Sequence, residues 1–115
     1  MRYPTARGRI RQPKNGPNKT EQAYMDLLEM RRLADEVLWY AFERIKLKLA
    51  DRTFYSADFF IMLANMELEV HEVKGFWEDD ARVKIKVAAE QFPIFRFIAI
   101  KKAPKKDGGW ATEQF

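Results

Sequence analysis

Apolar residues recur along this chain in blocks, and their period changes from one block to the next. After Asn18 they fall at helical spacing, with Tyr24, Leu27, Leu28 and Arg31 on one side and Ala23, Met30 and Ala34 alongside. Asn18 followed three residues later by Glu21 predicts an N-cap box, and the helix is expected to end near residues 34–36. Residues 37–50 switch to a period of two. Ile45, Leu47 and Leu49 alternate with Arg44, Lys46 and Lys48, which predicts a half-buried strand with a solvated basic face. Residues 38–42 are out of register with that alternation, so a bulge near Glu43 is expected. Beyond a turn at Asp51-Arg52, residues 53–63 are aromatic and β-branched enough for a second, largely buried strand. Ala64-Asn65-Met66 turns the chain into a third strand over residues 67–74, which Gly75 stops.

Glu78, Asp79 and Asp80 then place acid in the first turn of a second helix, where the helix dipole favours it. Its apolar stripe is Ala81, Ile85, Ala88, Ala89 and Phe92, and Pro93 ends it. Residues 95–100 form a last apolar strand. The expected fold is an α/β (α+β) domain in the order α-β-β-β-α-β. The first three strands make an antiparallel meander, and the second helix is a crossover joining strands three and four in parallel. A central mixed sheet flanked by helices follows. Residues 18–102 make this domain, between a basic N-terminal arm (1–17) and a Lys/Gly-rich tail (103–115).

Composition narrows the chemistry. The 115 residues hold no cysteine and one histidine, which removes disulfides, thiolate zinc sites and paired imidazoles. Carboxylates, lysines and hydroxyls are left. No apolar run is long enough to span a membrane and no secretory signal is evident, so a cytoplasmic protein is expected. The net charge of +4 is unevenly placed: residues 1–19 carry six bases and no acid, residues 20–100 carry 11 bases and 15 acids, and the remainder carries four lysines and two acids. An acidic body thus has basic ends. The arm, with Arg7, Arg9, Arg11, Lys14 and Lys19 among prolines and glycines, reads as a phosphate-binding segment or a solubilising tail, and the charge asymmetry favours the first.

Strand parity then exposes residues that do not suit a plain core. Leu68, Val70, Glu72 and Lys74 share one face of the third strand, and that face is expected to be the covered one. Asp58 interrupts the aromatic second strand, so Asp58, Glu72 and Lys74 can meet near the strand ends. Buried carboxylates call for a partner or a metal, and oxygen ligands without His or Cys suit Mg²⁺ or Mn²⁺. A buried Glu–Lys pair with Asp58 as a strand-end cap is the alternative. Glu21, at the top of the apolar side of the first helix, reads equally as a helix cap and as a ligand facing the sheet. His71 lies on the opposite strand face from Glu72, which argues against it as a ligand. Phe76 and Trp77 follow the motif as candidates for base stacking or core contact, and Arg82, Lys84 and Lys86 on the second helix as candidate phosphate contacts.

These residues carry a resemblance. Glu21 on the first helix, Asp58 on the second strand and Glu72-Val73-Lys74 on the third resemble the PD-(D/E)XK nuclease superfamily. The segments TEQAYMDLLE, YSADF and VHEVKGFWEDDARVKIKVAAEQFP are similar to a group of its small phage and prophage members. The likeness covers about residues 18–102, with Ala57 where the motif's name has proline. It implies a restriction-endonuclease-like fold and Mg²⁺-dependent cleavage of phosphodiesters. Asp58, Glu72, the Val73 carbonyl and Glu21 would serve as metal ligands, and Lys74 would serve the attacking water. With no separate sequence-reading module, the expected substrate is DNA recognised by shape, such as a branched DNA or Holliday junction in phage recombination, repair or packaging. A homodimer, using aromatics such as Trp39, Tyr40 and Trp77, would cut two strands. No organic cofactor is expected. The alternative is a catalytically silent nucleic-acid-binding protein on the same fold.

Overall fold

The computed structural model describes residues 16–75, 79–104 and 109–115. Arg7, Arg9, Arg11, Lys14, Phe76, Trp77 and Glu78 lie outside them. The first helix, α1 (Lys19–Leu33), begins at the expected box. The Asn18 side chain accepts from the Glu21 N–H at 2.8 Å, and Glu21 Oε1 accepts from the Asn18 N–H at 3.0 Å. Tyr24 and Leu28 are its buried apolar residues, as the helical spacing predicts.

Seven strands follow: β1 (Val37–Phe42), β2 (Lys46–Ala50), β3 (Thr53–Ser56), β4 (Phe59–Leu63), β5 (Leu68–Lys74), β6 (Phe95–Lys102) and β7 (Trp110–Gln114), with α2 (Asp79–Gln91) between β5 and β6. Five form a mixed sheet in the order β1-β4-β5-β6-β7, and β2 pairs with β3 in a separate two-stranded sheet. The antiparallel run β1-β4-β5 and the parallel β5–β6 pair joined through α2 match expectation. The element order does not. Each of the two long strands expected over residues 37–50 and 53–63 is broken in the middle. One long hairpin leaves the main sheet at a crease, and its outer half, β2–β3, folds over one face.

The crease explains the register conflict around Glu43. A bulge would have kept one strand in one sheet, whereas the change of parity marks the passage from one sheet to another. Glu43 takes a left-handed conformation (φ 53°) there. Its N–H donates to the Asp58 carbonyl at 2.8 Å, and the Ala57 N–H donates to the Ile45 carbonyl at 3.2 Å, so the crease is tied on both strands. A second departure is β7. The end of the chain pairs antiparallel with β6 from Ile98↔Gln114 to Lys102↔Trp110. The segment read as a tail therefore supplies an edge strand.

Two apolar clusters sandwich the sheet. On one face, Tyr24 and Leu28 of α1 pack with Val37, Phe59, Ile61, Val73 and Ile100. On the other, Ile85 and Ala88 of α2 pack with Val70, Phe97 and the inward residues of the hairpin, Leu47 and Tyr55. Both faces of β5 are thus covered, and the expectation of one covered face is corrected: residues 69–73 are all buried.

That double burial puts His71 and Glu69 beneath α1 as a hydrogen-bonded chain. Tyr24 Oη is 2.7 Å from His71 Nδ1, and His71 Nε2 is 2.8 Å from Glu69 Oε1. Glu69 Oε2 in turn meets Arg96 at 3.2 Å. A carboxylate only accepts, so Nε2 carries the imidazole proton and Nδ1 accepts from the tyrosine. Burial lowers the His71 pKa despite the pull of Glu69, which favours the neutral ring. Its polar atoms are satisfied by structural partners.

Candidate active site

The crease aims Asp58 at β5. Phe59 pairs with His71 in the β4–β5 ladder, so continuing that register by one residue sets Asp58 opposite Glu72. Asp58 Oδ2 accepts the Val73 backbone N–H at 2.9 Å. Glu72, 7% exposed, points to the α2 side of the sheet. Tyr55 donates its hydroxyl to Glu72 Oε1 at 2.8 Å, and Lys74 Nζ stands 3.4 Å from Oε2. The period of two thus brings Glu72 and Lys74 to one point, and the fold of the hairpin delivers Tyr55 to the same carboxylate.

The electrostatics are those of too much negative charge in too little water. Burial, then the Glu72 charge and that of Glu21, hold the Asp58 carboxyl up to about 7, against the pull of the Val73 N–H and Lys74. Burial also raises Glu72, although Tyr55 and Lys74 work to lower it. Tyr55 is raised in turn, by burial first and by Glu72 second, and so remains a hydroxyl donor. Glu21 is buried and acts as the helix cap; it joins the group through its charge. Cap and ligand were both open from its position, and the cap is what the structure displays.

Glu72, Lys74 and Tyr55 open into a cleft of about 270 Å³, walled by Phe54 and Ser56 on the hairpin and by Ala81 and Lys84 on α2. Lys84 therefore shares the cleft with the Glu72 carboxylate. Arg82 does not: its guanidinium is bound bidentately by Glu113 of β7 at 3.0 and 2.7 Å. Lys86 lies beside it on a separate groove lined by Glu113 and Phe115. Lys19 is exposed at the first residue of α1. No family model, curated protein or solved structure matches this chain.

Among the described residues, no three His, Asp or Glu side chains are gathered as a ready metal cage. The residues nonetheless fit a hard divalent cation. The donors are oxygens only, and the half-buried Asp58 and the buried Glu72 both hold their protons more tightly than ordinary carboxyls. A cation between them would offset the burial that raises both and the Glu72 charge that adds to it at Asp58. Tyr55 and Phe54 are parts of this site that residue spacing along the chain did not single out. The available signal was parity, since an inward tyrosine in an apolar strand needs a partner for its hydroxyl.

Proposed function

We propose that this chain is a divalent-metal-dependent endonuclease that hydrolyses phosphodiester bonds in DNA, with a restriction-endonuclease-like core. What carries the reading is the meeting of Glu72 and Lys74 in one partly open cleft, with Asp58 bound beside them to the Val73 N–H. Asp58 and Glu72 would hold Mg²⁺ or Mn²⁺ together with the Val73 carbonyl, and Glu21 would join them by sharing its capping oxygen or using the other. When bound, the metal supplies charge stabilisation for the phosphate and a more acidic water.

The chain's own residues supply the rest. Tyr55 fixes the Glu72 carboxylate by donating to one oxygen, which leaves the other toward Lys74. The Lys74 ammonium orients the attacking water and offsets charge growing on the phosphate oxygens. Lys84, across the cleft, neutralises the flanking phosphate. Water attacks phosphorus and releases its proton to solvent, the bond to the leaving oxygen breaks, and that oxygen takes a proton from solvent. One such site cuts one strand, so action on both strands of a junction calls for a homodimer. A phage or prophage role in recombination, repair or packaging belongs to the same proposal.

The test is a cleavage assay with Mg²⁺ or Mn²⁺ on four-way junction, flap, linear duplex and single strand. Wild type is expected to cut, and Lys74→Ala and Asp58→Ala to lose cutting by about two orders of magnitude or more while still binding DNA. Equal cutting by Lys74→Ala would sink the assignment. Binding without cutting under any divalent ion would support the silent nucleic-acid-binding protein instead.

A further inference from the structure

The hairpin that brings Tyr55 inward turns a different set of residues outward. By strand parity its outer face carries Lys46 and Lys48 from β2 and Phe54 and Ser56 from β3, all exposed. Phe54 is 38% exposed, and Lys46 Nζ lies 4.7 Å from its ring centre. A second cleft of about 340 Å³, lined by Glu43, Arg44, Lys46 and Ser56 among others, adjoins the first at Ser56. Arg44, Lys46, Lys48 and Lys84 enter no ion pair among the described residues, whereas Arg31, Arg32, Arg82 and Arg96 are each paired with an acid. Arg44 and Lys46 on the second cleft and Lys84 and the Phe54 ring on the first therefore line a path that ends at Glu72, with Lys48 exposed beside it and Glu43 at its far end.

We propose that this path holds a single-stranded segment of nucleic acid, with one base stacked on Phe54 and its phosphates on Lys46, Lys48, Arg44 and Lys84. The proposal rests on the reading of the chain as acting on nucleic acid and names the form of substrate that reaches the cleft. An exposed aromatic ring offers a π-face to any unstacked base, while the bases of an intact duplex are already stacked on one another. A duplex would meet only the cations. A junction or flap with an unpaired strand meets both, and the ring places that strand beside the carboxylates.

The experiment measures binding by fluorescence anisotropy, with divalent ions chelated so that scission does not enter. The probes are a short fluorescein-labelled DNA strand and its duplex. Phe54→Ala is expected to weaken single-strand binding by roughly tenfold and duplex binding little, with Phe54→Trp restoring the single-strand affinity. Lys46→Ala and Lys84→Ala are each expected to reduce the slope of log affinity against log salt by about 0.7 on the single strand. Unchanged single-strand binding by Phe54→Ala overturns the proposal. So does an equal preference for an acidic polypeptide, which would make the face a site for a protein partner. Phe54-dependent binding without cleavage of any substrate would leave this inference standing and remove the nuclease; cleavage with Phe54-independent binding would do the reverse.

Discussion

Replacing Asp58 by asparagine should stabilise the metal-free fold while abolishing cleavage. Asp58 is held up to about 7 in the folded protein, against an ordinary value of 3.8. Between those values the folded protein keeps a proton that the unfolded chain has lost. Stability therefore falls as pH rises across that window and levels off above it. About three units at about 1.4 kcal/mol each make the full effect about 4 kcal/mol. Asparagine retains an oxygen to accept the Val73 N–H and carries no charge, so Asp58→Asn escapes the loss. Urea denaturation in chelator, followed by tryptophan fluorescence, should show the variant ahead of wild type by a few kcal/mol near pH 8 and by less than half as much near pH 5. Added Mg²⁺ should stabilise wild type and leave the variant unmoved. A variant less stable than wild type at the higher pH, or a gain that ignores pH, would refute the reasoning. Asp58 would then be a structural cap whose charge the fold already balances.

Four further outcomes follow from contacts at the site and on the α1 side of the sheet. Tyr55→Phe removes the hydroxyl that Glu72 accepts, and is expected to lower stability by about 1 kcal/mol and metal affinity roughly 10–100-fold, read by denaturation and by metal titration. Tyr24→Phe leaves His71 Nδ1 buried without its donor at a cost of about 1–3 kcal/mol. Because burial lowers the His71 pKa, the unfolded chain takes up a proton below about 6.5 that the folded chain refuses; this contribution to stability is lost as pH falls, a trend opposite in sign to that of Asp58. Trp110→Ala removes an edge-on ring 5.2 Å from Tyr24 and is expected to cost about 2 kcal/mol, measurable as a lowered urea midpoint.

The sequence made the helices and the third-strand motif legible because their signals are local. The Asn18–Glu21 box, the stripe through Ile85 and Ala88, and the shared parity of Glu72 and Lys74 each depend on spacing alone. The crease was visible only as a conflict, since residues 38–42 and 44–49 alternate out of phase. Phase cannot tell a bulge within one sheet from a passage between two; the tertiary partners Leu47 and Tyr55, packed against α2 and Val70, decide that. The covered second face of β5 was hidden for a similar reason, as Glu69 and His71 read as solvated until Tyr24 and Arg96 satisfy them. At the end of the chain, Trp110 in β7 and Phe115 just beyond it were the apolar hints in a stretch dominated by lysine and glycine. The meeting of Asp58 with Glu72 was legible, whereas Tyr55, Phe54 and Lys84 meet across elements far apart in the chain.

The crease also sets how the site comes apart. A two-stranded hairpin alone is marginally stable, and β2–β3 is held down chiefly by Leu47 and Tyr55. Local opening of this unit withdraws the hydroxyl from Glu72 and the ring of Phe54 from the cleft, while the five-stranded sheet stays intact. Amide hydrogens of the hairpin should therefore exchange ahead of those in β4 and β5. A ligand bridging the hairpin and α2 would slow them, so that occupancy of the cleft would be written in the exchange rates of a few peripheral amides.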